Sequence, residues 1–125
     1  MNEEFFLREL GGVARLVNKV TYYSLDENGE WIHNQRAISM FVDDPCEYIR
    51  LSEDETKAII DAIKCTKARE SRTKHDRLEP SLKTIKHLTA LCKRVFMPKA
   101  RERLDALLNA IRYECYNLLF ENRLF

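Results

Sequence analysis

Glycine and proline are scarce in this chain of 125 residues, three of each, and nowhere do they build the glycine-rich loop that cradles a phosphate. That removes the fingerprints of dinucleotide and P-loop nucleotide binding. Histidine is equally thin. His33, His75 and His87 are scattered, with no pair four residues apart around a carboxylate. Asp61 and Cys65 stand four apart, but two ligands do not make a metal site. Cys46, Cys65, Cys92 and Cys115 are far apart, with no C-x-x-C motif. Nothing in that spacing argues for an oxidising compartment, so the cysteines read as reduced, Cys92 and Cys115 as small hydrophobes on helix faces. No metal and no cofactor is expected.

Long apolar runs are missing as well. No stretch approaches the roughly 20 apolar residues that a membrane-spanning helix needs. The start, Met1-Asn2-Glu3-Glu4, is acidic, unlike the basic opening of a secretory signal. The expectation is a cytoplasmic protein with no membrane segment. An activated nucleophile is also wanting. Cys65 lies among lysines without a local base, and the carboxylates Asp43-Asp44 adjoin Pro45, where a turn explains them. Catalysis is therefore not expected.

What the chain does have is an ordinary balance of 45% hydrophobic and 33% charged residues, enough for one domain over 1–125 with its own core. Its charge is unevenly placed. Residues 1–63 hold six basic against thirteen acidic side chains, whereas 64–103 hold thirteen basic against four acidic ones. That asymmetry is the strongest pointer to a partner.

The local patterns predict an α+β fold: an N-terminal helix, a small antiparallel sheet of hairpins, then three helices ending in an αα-corner or hairpin around Pro98. Asn2 can cap the first helix, with Phe6, Leu10, Val13, Leu16 and Val17 as its buried face and Gly11-Gly12 as a weak point. Residues 20–25 and 30–34 flank the turn Asp26-Glu27-Asn28-Gly29 and read as a hairpin with Trp31 and Ile32 on opposite faces. Residues 37–42 read as a third strand, with Ile38, Met40 and Val42 on one face. Asp43-Asp44-Pro45 reads as a turn and 46–51 as a fourth strand.

Ser52 with Glu55 makes a capping box for a helix to about Arg69 that buries Ala58, Ile59, Ala62 and Ile63. Asp76 with Glu79 makes another, and Pro80 falls in the first turn that follows. The stripe Leu78, Leu82, Ile85, Leu88, Cys92, Val95 should stop near Phe96, before Pro98. Beyond it, Leu104, Leu107, Leu108, Ile111, Cys115, Leu118 and Leu119 form the last stripe.

Two function classes remain. The leading one is a small non-catalytic binding or regulatory protein, of the kind common among accessory and mobile-element genes, that works through a protein partner or as a homodimer. Its surface would be Tyr113, Tyr116, Phe120, Leu124 and Phe125, where the last helix becomes apolar nearly all round. The alternative is nucleic-acid binding through Lys67, Arg69, Arg72, Lys74 and Arg77, extended by Lys83, Lys86, Lys93, Arg94, Lys99, Arg101 and Arg103. No aromatic residue is interleaved in 64–77, so base stacking there is not expected. A further set of aromatics, Trp31, Tyr22, Tyr23, Phe41 and Tyr48, could present a recognition face on the sheet or be core.

Overall fold

The first seventeen residues carry two competing patterns, helical steps from Phe6 to Val17 and a glycine pair in their midst. In the computed structural model, which describes residues 2–34, 47–70 and 82–123 and the side chains of 2–34, 47–67 and 82–113, the glycines decide the outcome. Glu3–Arg8 is a strand, β1, and Val13–Val17 is a second, β2, so the expected N-terminal helix is replaced by a hairpin. Gly11 adopts φ +94°, and the turn closes with Gly11 N–H on Arg8 O at 2.9 Å and Arg8 N–H on Gly12 O at 2.8 Å. A left-handed backbone costs a glycine little, and it ends any helix that reaches it. Leu10, expected on a buried face, is 68% exposed in this turn.

The chain continues as a meander. β2 turns through Asn18 and Lys19, both at positive φ (52° and 62°), into β3, Thr21–Leu25. Asp26 then closes the next turn: its Oδ1 accepts from the Asn28 and Glu30 N–H groups at 2.9 and 2.8 Å, and Gly29 takes φ +81°. β4 follows over Trp31–His33, which is the hairpin the turn chemistry predicts. β5, Tyr48–Leu51, adds to the other side of β1, giving the antiparallel order β4-β3-β2-β1-β5. The expected strand at 37–42 and the turn at 43–45 lie outside the described residues.

Three helices cover one face of the sheet. α1, Glu53–Glu70, opens on the expected capping box, with Ser52 N–H on Glu55 Oε1 at 2.8 Å and Glu55 N–H on Ser52 Oγ at 3.1 Å. α2 is Leu82–Arg94 and α3 is Pro98–Arg123; Asp76, Leu78, Glu79 and Pro80 are outside the described residues. Pro98 is the first helical residue of α3, where its missing N–H is no loss, and Arg101 N–H bonds Met97 O at 2.9 Å. The connection alternates, with Val95 and Met97 buried and Phe96 exposed.

Leu7, Val13 and Leu51 of the sheet meet Ala58, Ile59, Ala62, Leu88, Leu91, Cys92, Ala100, Leu104, Leu108 and Ile111 in one core. Leu82, expected in the α2 stripe, is 76% exposed. Lying six residues before Leu88, it falls about 120° round the helix. Leu91 takes the core position instead. Between the last two helices Asp105 of α3 meets Cys92 of α2, and about two turns further along α3 Arg112 Nη2 meets Thr89 Oγ1, nearer the start of α2, at 3.3 Å.

Alternation sends Phe6, Ala14, Leu16 and Tyr22 to the opposite face, where they form a second buried cluster. β1 and β2 thus bury side chains on both faces.

Candidate functional site

An open hollow lies where the end of the sheet meets α1 and α3. Its floor is core, formed by Leu7, Val13, Ile59 and Leu104, and its walls are the half-buried Leu25, Ile63, Leu107 and Ala110. Gly11, Gly12 and Ala106 supply no bulk there, and a volume of about 420 Å³ is left unfilled. Asp26 and Glu27 stand on one rim and Arg103 on the other.

The position of Arg103 is fixed by the β1–β2 turn. A Cβ on Gly11 would come within 2.5 Å of Arg103 Cδ, so the arginine stem lies flat across the glycine backbone. The guanidinium reaches Leu10 O from Nη1 at 3.4 Å, a long contact that, among the described residues, leaves most of its donors available to a ligand. Across the mouth, Asp26 has already committed one oxygen to its turn. Thr66, the polar wall residue of α1, donates back to Ala62 O at 3.0 Å. The arrangement is an apolar receptacle with one available cation.

The aromatic set divides between the two faces of the sheet. Tyr23 and Trp31 lie on the helix side, with Arg15 5.3 and 5.8 Å from their ring centroids and paired to Glu3. Phe5 packs beside Trp31 at 5.9 Å. Tyr22 and Tyr48 belong to the opposite face, Tyr48 edge-on to Phe6 at 5.4 Å. Phe41 lies outside the described residues. Tyr22, Tyr23, Trp31 and Tyr48 therefore do not form one recognition patch.

Comparison with protein-family models, with curated proteins and with solved structures finds no match. Function has to be read from the residues themselves.

The basic surface is partly answered by the chain's own acids. Arg94 is held by Glu55, and Lys64 by Glu30 at 3.6 Å. Arg101 stands 4.0 Å from Asp105 on its own helix. Lys83 lines a small cleft between α1 and α2 together with Asp54, Asp61 and His87. Lys86, Lys93 and Lys99 are exposed, and among the described residues they make no ion pair. Lys67 is half-buried on α1; the side chain of Arg69 and all of Arg72, Lys74 and Arg77 lie outside the described residues.

Of the expected partner surface, Tyr113 is 54% exposed on α3, two residues past the buried Ile111. α3 continues to Arg123, but the side chains of Tyr116 and Phe120, and Leu124 and Phe125 altogether, lie outside the described residues.

Two described groups titrate away from their ordinary values. Burial works against the Glu55 carboxylate, but hydrogen bonds from Arg94 and from the Ser52 N–H, with the Arg94 charge, bring its pKa below the usual value. Burial, then the hydrogen bond to and charge of Asp105, pushes the Cys92 thiol up to about 11. Both shifts follow from packing between elements. Among the described residues no three His, Cys, Asp or Glu side chains gather as metal ligands, and no helix is long and apolar enough to cross a membrane. The hollow was not foreseen from sequence. Its only sequence signals are small residues, Gly11-Gly12 and the pair Ala106 and Ala110, from segments distant in the chain.

Proposed function

We propose that this is a small, non-catalytic, cytoplasmic binding or regulatory protein that acts through protein–protein contacts. In this reading α2 and α3 form a hairpin in which α3 carries the contact surface, and a second copy of the chain is the first partner to consider. The supporting observation is the length and burial of α3. It runs 26 residues, Pro98–Arg123, about 39 Å at about 1.5 Å per residue. Among the described side chains Ile111 is the last of α3 to enter the core, and Tyr113, two positions nearer the end of α3, is 54% exposed.

In sequence that end is rich in aromatic and aliphatic residues, with Tyr113, Tyr116, Leu118, Leu119, Phe120, Leu124 and Phe125 within thirteen positions. A helix apolar on most sides requires cover from other chain. Deleting residues 121–125 should lower the mass seen by light scattering and abolish capture of a partner in pull-down. An unchanged mass and unchanged capture would count against the proposal.

Nucleic-acid binding is the second reading, favoured by the exposed Lys86, Lys93 and Lys99. Glu55 on Arg94 and Glu30 on Lys64 weigh against it, since a cation already paired releases fewer counterions on binding phosphate. Retention of single- or double-stranded DNA or RNA at low salt, falling steeply as salt is raised, would support it.

A further inference from the structure

We infer that the hollow between the sheet end, α1 and α3 binds a small amphiphile with an apolar body and a single anionic group, the body against Leu25, Ile63, Leu107 and Ala110 and the anion on Arg103.

Size and lining set the body of the ligand. A volume of about 420 Å³ lies within the range of about 300 to 1,000 Å³ usual for small-molecule pockets. The half-buried wall residues are aliphatic, so a hydrocarbon or aromatic body covers them favourably by removing their apolar surface from water. The small side chains that leave the space open come from two separate elements, the β1–β2 turn and α3.

Charge sets the head group. The Arg103 stem is held against Gly11, so its guanidinium is positioned before a ligand arrives, and among the described residues its one hydrogen-bond partner is the Leu10 carbonyl at 3.4 Å. A carboxylate offers the planar, two-oxygen surface that such a fork takes best. The acids opposite make poorer anchors for a cation. Asp26 Oδ1 already accepts two N–H groups, and Glu27 is exposed at the tip of a turn, where solvent screens it. Those same carboxylates repel a second negative charge. A polyanion such as a nucleoside triphosphate is therefore disfavoured, and one negative charge is what the mouth accepts. The site is independent of the contact surface proposed for the end of α3, and either can fail without the other.

The experiment compares three probes that share one alkyl chain, octanoate, octan-1-ol and octylammonium, titrated into the full chain and followed by backbone amide NMR. Octanoate should bind tightest and shift the amides of Gly11, Gly12, Thr66, Ala106 and Ala110. Arg103→Met keeps the stem over Gly11 and removes the charge. It should weaken octanoate by about tenfold, the size of one charge-assisted hydrogen bond, and leave octan-1-ol unchanged. Ala110→Leu fills the hollow and should weaken all three probes. Should that variant fail to fold by circular dichroism, the exposed Arg103→Met still decides. The inference is overturned if these amides do not move with octanoate. It is equally overturned if octylammonium binds as tightly as octanoate, or if Arg103→Met leaves the preference for octanoate over octan-1-ol intact.

Discussion

Arg94, the last residue of α2, grips Glu55 of α1 with both arms: Nη2 reaches Oε1 at 2.6 Å and Nε reaches Oε2 at 3.0 Å. The same Nη2 donates to the carbonyl of Arg50 on β5 at 2.8 Å. One side chain thus joins α1 and α2 to β5. Glu55 meanwhile serves the capping box of α1, so one carboxylate holds a helix start and a helix end together.

Glu55→Gln and Arg94→Gln should each destabilise the fold. Combined in a double-mutant cycle they should show a coupling of about 1 kcal/mol, at the upper end for pairs that remain partly exposed. Urea denaturation of the four proteins measures it.

The acid limb of the stability curve should change with the same residue. The folded-state pKa of Glu55 is depressed, so its contribution is fully present above the ordinary carboxylate pKa near 4.5 and is lost as pH falls through the folded value. Glu55→Gln should flatten the loss of stability between about pH 5 and pH 3. A parallel decline in both proteins would show that Glu55 makes no such contribution.

Lys19 holds φ 62° with a full side chain. Left-handed backbone costs such a residue about 1 kcal/mol or more, so Lys19→Gly should stabilise the protein by about 0.5 kcal/mol after the added freedom of the unfolded chain is counted. Thermal melting is sufficient to see the sign.

Gly11→Ala meets two obstacles, φ +94° and a Cβ 2.5 Å from Arg103 Cδ. A loss of about 2 kcal/mol is expected. Adding Arg103→Ala should recover only the part due to the contact. Full recovery would mean the backbone angle imposes no cost.

Cys92 should resist alkylation in the folded protein. With its thiol at about 11 and its side chain buried, about one molecule in a thousand carries the thiolate at pH 8. Peptide mapping after iodoacetamide should find Cys92 unmodified in buffer and modified in urea.

Much of this architecture was legible in the sequence where a local rule was sufficient. Asp26 to Gly29 announced the β3–β4 hairpin, Ser52 with Glu55 announced the start of α1, and Pro98 marked the first residue of α3. The first hairpin was not legible, because β1 and β2 bury both faces. Phe6 and Leu16 go one way, Leu7 and Val13 the other, and the period-two signal of a half-exposed strand is lost. What remained were apolar residues at steps that also fit a helix. No turn was expected at Asn18-Lys19, because asparagine tolerates positive φ but lysine has no preference for it. The Arg94–Glu55 grip and the hollow beneath Arg103 were beyond reach for another reason: each joins segments tens of residues apart, and no local pattern encodes which helix end meets which turn.

The reading of α3 as a contact surface is tested most directly by light scattering of the full chain over a concentration series, beside a Tyr113→Arg variant. Tyr113 is exposed, so the substitution spares the core. The expected result is a native mass near twice the 14.8 kDa of one chain, with Tyr113→Arg displaced toward the single-chain mass. A native protein that stays at 14.8 kDa at every concentration, and a variant indistinguishable from it, would contradict self-association through the end of α3.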